Sequence, residues 1–194
     1  MRRTFVWFWL ATGCAGAPAE DPPVERGPLP ADSVYALDVP IVDQHGRDVD
    51  LAVHRGHPVV ISMFYASCPM ACPRLIADLQ ALERRLDDGQ RDDLRVLLVS
   101  LDPERDTPAA LAEVVARHGV DDARWTLART APQDVRAVAA ALGIRYRPAA
   151  DGEMNHSSIL TVLDRDGRPL ARLEGLERDP APLLAALATS GGER

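Results

Sequence analysis

Cys68 and Cys72 stand four apart in Cys68-Pro69-Met70-Ala71-Cys72-Pro73, directly after the apolar run 58–65. A short apolar run closed by such a motif reads as a buried strand leading into a helix. It would deliver both thiols to the C-terminal edge of a sheet, where open α/β folds place their chemistry. At a helix start, residues four apart share one face, and the orphan N–H groups favour thiolate over thiol. Thiolates attack disulfides and bind metals. Two buried, inert cysteines or a plain structural disulfide are the remaining options. Three residues separate the pair, where a thioredoxin has two. That spacing leaves both sulfurs able to converge on one ion, and soft thiolates select Cu(I) and Zn(II).

A third ligand would have to come from a histidine elsewhere. His45, His54, His57 and His118 fall in turn, loop or helix-end contexts and read as solvated surface residues. His156 differs, because it directly precedes the apolar run 158–163. In a thioredoxin-like fold the segment before that strand faces the cysteine loop, and the cis-proline of thioredoxins sits there. The alternative for His156 is a hydrogen-bonded structural residue. Met63, Met70 and Met154 could offer thioethers, but on a strand or helix face they read as packing.

The elements that must position these residues follow from pattern. Residues 35–42 and 49–51 read as strands joined by the turn Asp43-Gln44-His45-Gly46. After the cysteines, Leu75, Ile76, Leu79, Leu82 and Leu86 mark one helical stripe. Residues 94–101 are almost continuously apolar, as in a strand covered on both faces. Thr107-Pro108 opens a helix that Gly119 closes. A short strand at 124–127 and a helix from the capping pattern Thr130-Ala131-Pro132-Gln133 to Gly143 come next. Asp164-Arg165-Asp166-Gly167 turns a hairpin between 158–163 and 169–173, and Asp179-Pro180 opens a final helix. The expected architecture is α/β: a thioredoxin-like three-layer α/β/α sandwich with an N-terminal β-hairpin extension.

The chain has 194 residues, 46% hydrophobic, enough for one core without disulfide staples. Its net charge is −7 and it contains no lysine, so a basic nucleic-acid footprint is absent. Arg2-Arg3 followed by the apolar stretch 4–10 reads as an export signal too short to span a bilayer. Ala11-Thr12-Gly13-Cys14 resembles a lipobox, with Cys14 as the lipidated residue; a plain secretory signal is the alternative. The reading is a signal peptide at 1–13, a flexible tether at 14–33 and a folded domain at 34–190. The protein would be exported to the periplasmic face of a bacterial membrane and held there by a lipid anchor only. Pro-, Ala- and Gly-rich residues 15–30 would reach about 45 Å if fully extended.

Three segments stand in the order seen in the Sco/SenC family: residues 64–73 around the cysteines, Ser100-Leu101-Asp102-Pro103-Glu104-Arg105-Asp106-Thr107-Pro108, and Asn155-His156-Ser157. The chain resembles that family from about residue 35 to 187. The resemblance implies a thioredoxin-like copper chaperone that delivers copper to the dinuclear site of a respiratory cytochrome c oxidase, or keeps the thiols of that site reduced. It places Cys68, Cys72 and His156 on the family's copper ligands, and another periplasmic copper chaperone is a further possible partner. The alternative is a thiol–disulfide oxidoreductase using Cys68 and Cys72 as its redox pair without stable metal. Asn155 departs from the family, which commonly has Asp before the ligand histidine. Asp151 or Glu153 could supply the missing carboxylate. Tyr65-Ala66-Ser67 also departs from the usual Gly-Tyr-Thr-His approach to the first cysteine. Asp102 reads as part of a loop closed by an Arg105–carboxylate bond.

Overall fold

The structure is a computed structural model describing residues 27–68, 71–149 and 153–190. The expected signal, tether and lipidated Cys14 lie outside the described residues. Nine strands and five helices follow in the order β1 (Pro40–Asp43), β2 (Asp48–Asp50), β3 (Val59–Phe64), α1 (Ala71–Glu83), α2 (Asp88–Asp93), β4 (Arg95–Ser100), α3 (Pro108–His118), β5 (Trp125–Thr130), α4 (Val135–Leu142), β6 (Tyr146–Pro148), β7 (Met154–His156), β8 (Ile159–Leu163), β9 (Pro169–Glu174) and α5 (Ala181–Ser190) among the described residues. Seven of the strands form one sheet in the order β2-β1-β5-β4-β3-β8-β9, and β6 pairs only with β7.

The sheet is mixed. β3 runs parallel to β4 and β4 to β5, while β1, β8 and β9 pair antiparallel with their neighbours. Helical crossovers explain the parallel centre, because α1 with α2 and then α3 carry the chain back across the sheet. All six residues of β3 are buried. Alternation splits them between two cores: Val60 and Phe64 pack with α1, α3 and α5, and Val59, Ile61 and Met63 pack with α4 on the other face. The α1 stripe holds, with Leu75, Ile76, Leu79 and Leu82 all at 2% exposure or less. This is the expected α/β/α sandwich, with the β1–β2 hairpin added at the β5 edge.

Several elements differ locally from expectation. Tyr35 lies in a 3-10 turn (Val34–Ala36) rather than a strand, because the Ser33 hydroxyl caps that turn by accepting from the Tyr35 N–H. The fourth helix begins at Val135 after Asp134, without a side-chain cap, so the Thr130 capping pattern is not used; Thr130 ends β5 and its hydroxyl donates to the Pro40 carbonyl instead. Helix α2 was not anticipated, although Asp87 and Gln90 form a reciprocal capping box. The β6–β7 hairpin was also missed, since three-residue strands carry too little alternation to register. No cis peptide bond occurs among the described residues, so His156 is not introduced by one.

His54 is not the solvated residue its loop suggested. Its ring is half-buried and bonds the Thr126 hydroxyl at 2.9 Å. Burial, helped by nearby Arg95, lowers its pKa to about 4. The fold therefore holds it neutral where the unfolded chain takes up a proton. That costs nothing above pH 6.5 and up to about 3 kcal/mol of stability as pH falls from 6.5 to 4. Urea unfolding of His54→Gln is expected to lose that part of the acid limb, leaving a flatter stability profile between pH 6.5 and 4 than wild type.

Candidate metal centre

The parallel register Phe64↔Ser100 aligns the C-terminal ends of β3 and β4. Both segments leaving those ends carry polar motifs, and the Leu101 N–H donates to the Phe64 carbonyl at 2.7 Å to hold them together. The tie between the loops is Asp106, a buried carboxylate. Its Oδ2 accepts from the Ser100 hydroxyl at 2.5 Å and from the Ala66 N–H at 3.0 Å. Burial raises its pKa in spite of these two bonds. Asp102, by contrast, is engaged by Arg105 within its own loop, as expected, and its N–H donates to the Ser100 hydroxyl. Asp106 stands unremarkably within the segment 100–108, and only its chain-distant bond to the cysteine loop gives it a role.

Cys68 precedes α1, and Cys72 is the second residue of that helix. Pro73 is tolerated because a first-turn residue needs no N–H for the helix ladder. Both cysteines are buried, at 8% and 4% exposure, and no disulfide joins them. The Cys72 thiol donates to the Tyr65 carbonyl at 3.0 Å, and the Tyr65 N–H points back at Cys72 Sγ from 3.5 Å. The expectation of an activated thiolate fails at Cys72: burial pushes its pKa up, and the Tyr65 N–H offsets only part of this. Both sulfurs line a cavity of about 260 Å³ together with Phe64, Val114, Arg117 and His118.

His156 ends β7, on the small hairpin beside the main sheet. Its Nδ1 lies 3.2 Å from the Ser157 carbonyl. A carbonyl only accepts, so Nδ1 carries the proton and Nε2 keeps its lone pair. That Nε2 is buried and has no hydrogen-bond partner. Desolvation lowers the pKa of the ring, which favours the neutral, ligand-competent form. The orienting bond that a carboxylate at position 155 would make is supplied by backbone instead. Asn155 is exposed on the outer side of the hairpin, opposite Arg147.

The three expected ligands are not closed around one point. Among the described residues, no group of three or more His, Cys, Asp or Glu side chains could hold a metal ion as they stand. Tyr65 connects the two halves. Its ring meets the His156 ring edge-on, with centroids 5.8 Å apart, and its backbone N–H and carbonyl meet Cys72 Sγ. The Tyr65 hydroxyl donates to Glu153 Oε2 at 2.7 Å, so Glu153 serves Tyr65 and not His156. Asp151 lies outside the described residues. His45 and His57 are elsewhere, paired with Asp122 and Asp93, whereas His118, expected as a solvated surface residue, lines the cysteine cavity. Met63 is fully buried in β3, Met154 packs partly against both cores, and Met70 lies outside the described residues.

A dithiol at the mouth of a parallel βαβ unit, faced by a histidine hairpin, defines a thioredoxin-like protein with soft-metal donors. The SCO1/SenC family model matches residues 33–190, and the chain belongs to that family. It is 24% identical over 141 residues to a SCO1 protein homolog of Bacillus subtilis, covering 71% of this chain and 72% of that protein. The structure of Bradyrhizobium japonicum ScoI with copper bound matches with a TM-score of 0.64 and 26% identity, over 78% of this chain and 96% of that one. The fold also matches BsSco, a member of the Sco family of cytochrome c oxidase assembly proteins with a disulfide switch, at a TM-score of 0.68, 21% identity and 80% and 92% coverage.

Two outcomes follow from this geometry. Asp106→Ala removes the acceptor of two donors at the loop junction and is expected to cost about 2–4 kcal/mol in urea unfolding, with Asp106→Asn, which keeps an acceptor, costing less. Iodoacetamide is expected to label Cys72 in the reduced protein at pH 7 at least about tenfold more slowly than an exposed cysteine, accelerating as pH rises; equal rates would contradict a neutral, buried thiol.

Proposed function

We propose that this chain is a copper chaperone that binds Cu(I) through Cys68, Cys72 and His156 and passes it to the dinuclear copper site of a respiratory cytochrome c oxidase. The observation that carries this reading is the buried His156 Nε2, deprotonated by its tautomer and without a partner. A buried acceptor left unsatisfied costs about 1–3 kcal/mol, and a metal is the partner that repays it. Membership of the SCO1/SenC family and similarity to a relative with copper bound support the same assignment. Two thiolates and one imidazole leave a coordination position for a recipient's ligand, so transfer can proceed by exchange. Loading requires the reduced dithiol and releases thiol protons, so it tightens as pH rises.

The second reading, a thiol–disulfide oxidoreductase acting through Cys68 and Cys72, draws support from the adjacency of the two reduced thiols. The raised pKa of Cys72 gives it the resolving role in that reading, with Cys68 as the attacking thiol. The domain boundaries 1–13, 14–33 and 34–190, export to the periplasmic face and lipidation at Cys14 complete the proposal. No helix among the described residues is long and apolar enough to cross a membrane. An anchor at Cys14 would let the copper face search a membrane-embedded recipient.

Competition between the purified reduced protein and a Cu(I) chelator is expected to show one tightly held copper per chain. Cys68→Ser and Cys72→Ser should each weaken binding by at least about a hundredfold and His156→Ala by about tenfold to a hundredfold. Unchanged affinity in all three variants would remove the ligand assignment.

A further inference from the structure

Two depressions of the surface hold the proposed copper ligands. One, of about 340 Å³, lies along the open end of the β6–β7 hairpin and is bordered by Arg145, Tyr146, Arg147, Asn155, His156 and Ser157. The other is the cysteine cavity, which Arg117 and His118 border on the α3 side. Three arginines line the pair and no carboxylate does, in a chain whose net charge is −7. Depressions elsewhere are mixed: Asp164 and Asp166 stand beside Arg165 and Arg168 in one, and Glu83 beside Arg84 and Arg91 in another. Strand pairing decides which side chains reach solvent. Opposed residues of two antiparallel strands share a face, so Tyr146 and His156 turn inward while Arg147 and Asn155 turn outward, and the latter two are exposed. Arg145, also exposed, extends that outer row. The amide of Asn155 leaves the Arg147 charge uncancelled, where a carboxylate opposite it would cancel it. Arg147 takes part in no ion pair among the described residues. Glu174 lies 3.6 Å from Arg145 and Glu113 4.0 Å from Arg117, all on exposed chains whose pairing water screens. Glu153, nearer the turn of the hairpin, takes the Tyr65 hydroxyl, and Asp102 is taken by Arg105.

We infer that this edge is a docking surface for an acidic protein face: a copper recipient that carries Asp or Glu side chains around its own copper donors, met by Arg117, Arg145 and Arg147. The inference rests on the copper reading above. Guanidinium forks match carboxylates, which accept two parallel N–H bonds from one arginine. Charges at a rim act over about a Debye length, so they raise the encounter rate and choose the approaching face before any ligand exchanges. An acidic partner that comes from another side meets the chain's excess of carboxylates, so the arginines select the copper edge as well as attract to it. They stand outside the ligand set, and docking on them leaves Cys68, Cys72 and His156 to exchange the metal. A protein face fits better than a lipid surface. An interfacial membrane site pairs its cations with exposed apolar side chains. Val53 and Leu170 are the exposed large hydrophobic residues among the described ones, and neither borders these depressions.

The probe is a short peptide of alternating Glu and Gly. It is titrated at low salt into the isotope-labelled, reduced full chain carrying Cys14→Ala, and amide chemical shifts are followed. Shifts are expected at residues 117–118, 145–147 and 155–157, and they should fade at high salt. Arg145→Glu together with Arg147→Glu should raise the dissociation constant at least about fivefold. Asn155→Asp, which sets a carboxylate opposite Arg147, should raise it about twofold. The charge-matched control reverses Arg84 and Arg85, both exposed just past the end of α1 and outside both depressions, and should change it less than about twofold. Shifts scattered over the surface, or a control that weakens binding as much as the hairpin pair, overturn the docking face, because bulk charge then accounts for the response. Phosphatidylglycerol vesicles that perturb these residues where the peptide does not assign the face to lipid and overturn it as well. None of these arms contains copper, so their failure leaves the copper reading standing. Absence of Cu(I) binding by wild type in the chelator competition is the separate failure of that reading, and it overturns the recipient named here.

Discussion

The register between β3 and β4 is the constraint on which the site depends. Pairing Phe64 with Ser100 sets two strand ends side by side, and everything polar at this edge hangs from that alignment. Asp106 converts the alignment into a defined loop position by holding Ser100 and the backbone of Ala66 at once. The bonds are buried, so water does not replace them cheaply, and their net worth of about 1 kcal/mol each understates the cost of removing one side. A one-residue slip of β3 would send Phe64 and Val60 to the opposite core and carry the cysteines to the wrong face. Complete burial of the strand on both faces makes that slip prohibitive.

The electrostatics of the edge favour neutral donors. Burial raises Cys72 and Asp106 and lowers His156, so each group is pushed toward its uncharged form. For a nucleophile this would be a handicap. For a carrier of Cu(I) it is compatible with the task, since the metal's single positive charge offsets one of the two thiolate charges left when both thiol protons depart. The imidazole is prepared differently from the thiols: the Ser157 carbonyl fixes its tautomer, and no protein group satisfies the remaining nitrogen. The site is thus divided into a dithiol half at the start of α1, beside the end of β3, and a histidine half on a two-stranded hairpin outside the main sheet.

What could be read from the residues follows the length scale of each signal. Strands β3 and β4 and helices α1 and α3 were legible because long apolar periodicity and paired stop signals agree; Thr107 caps α3 and Gly119 closes it in the left-handed conformation. Tyr35 and the three-residue strands β6 and β7 were not, because a local Ser33 cap and strands too short to alternate leave no period, and Thr130 was not, because its hydroxyl is taken by the distant Pro40 carbonyl. Cys68, Cys72 and His156 were named from motif and order, and the structure brings the cysteines together while leaving His156 across Tyr65. The activated thiolate was expected from helix position alone, and burial outweighs that dipole at Cys72. Asp106 and Tyr65 lie inside the family-like segments, yet their bonds reach partners 40 and 88 residues away, which no local pattern encodes.

The central claim is that copper unites the two halves. X-ray absorption at the copper edge of the Cu(I)-loaded protein reads the donor set directly. The account predicts two sulfur scatterers and one nitrogen scatterer, with the nitrogen contribution lost in His156→Ala and the sulfurs retained. Identical spectra for wild type and His156→Ala would contradict it.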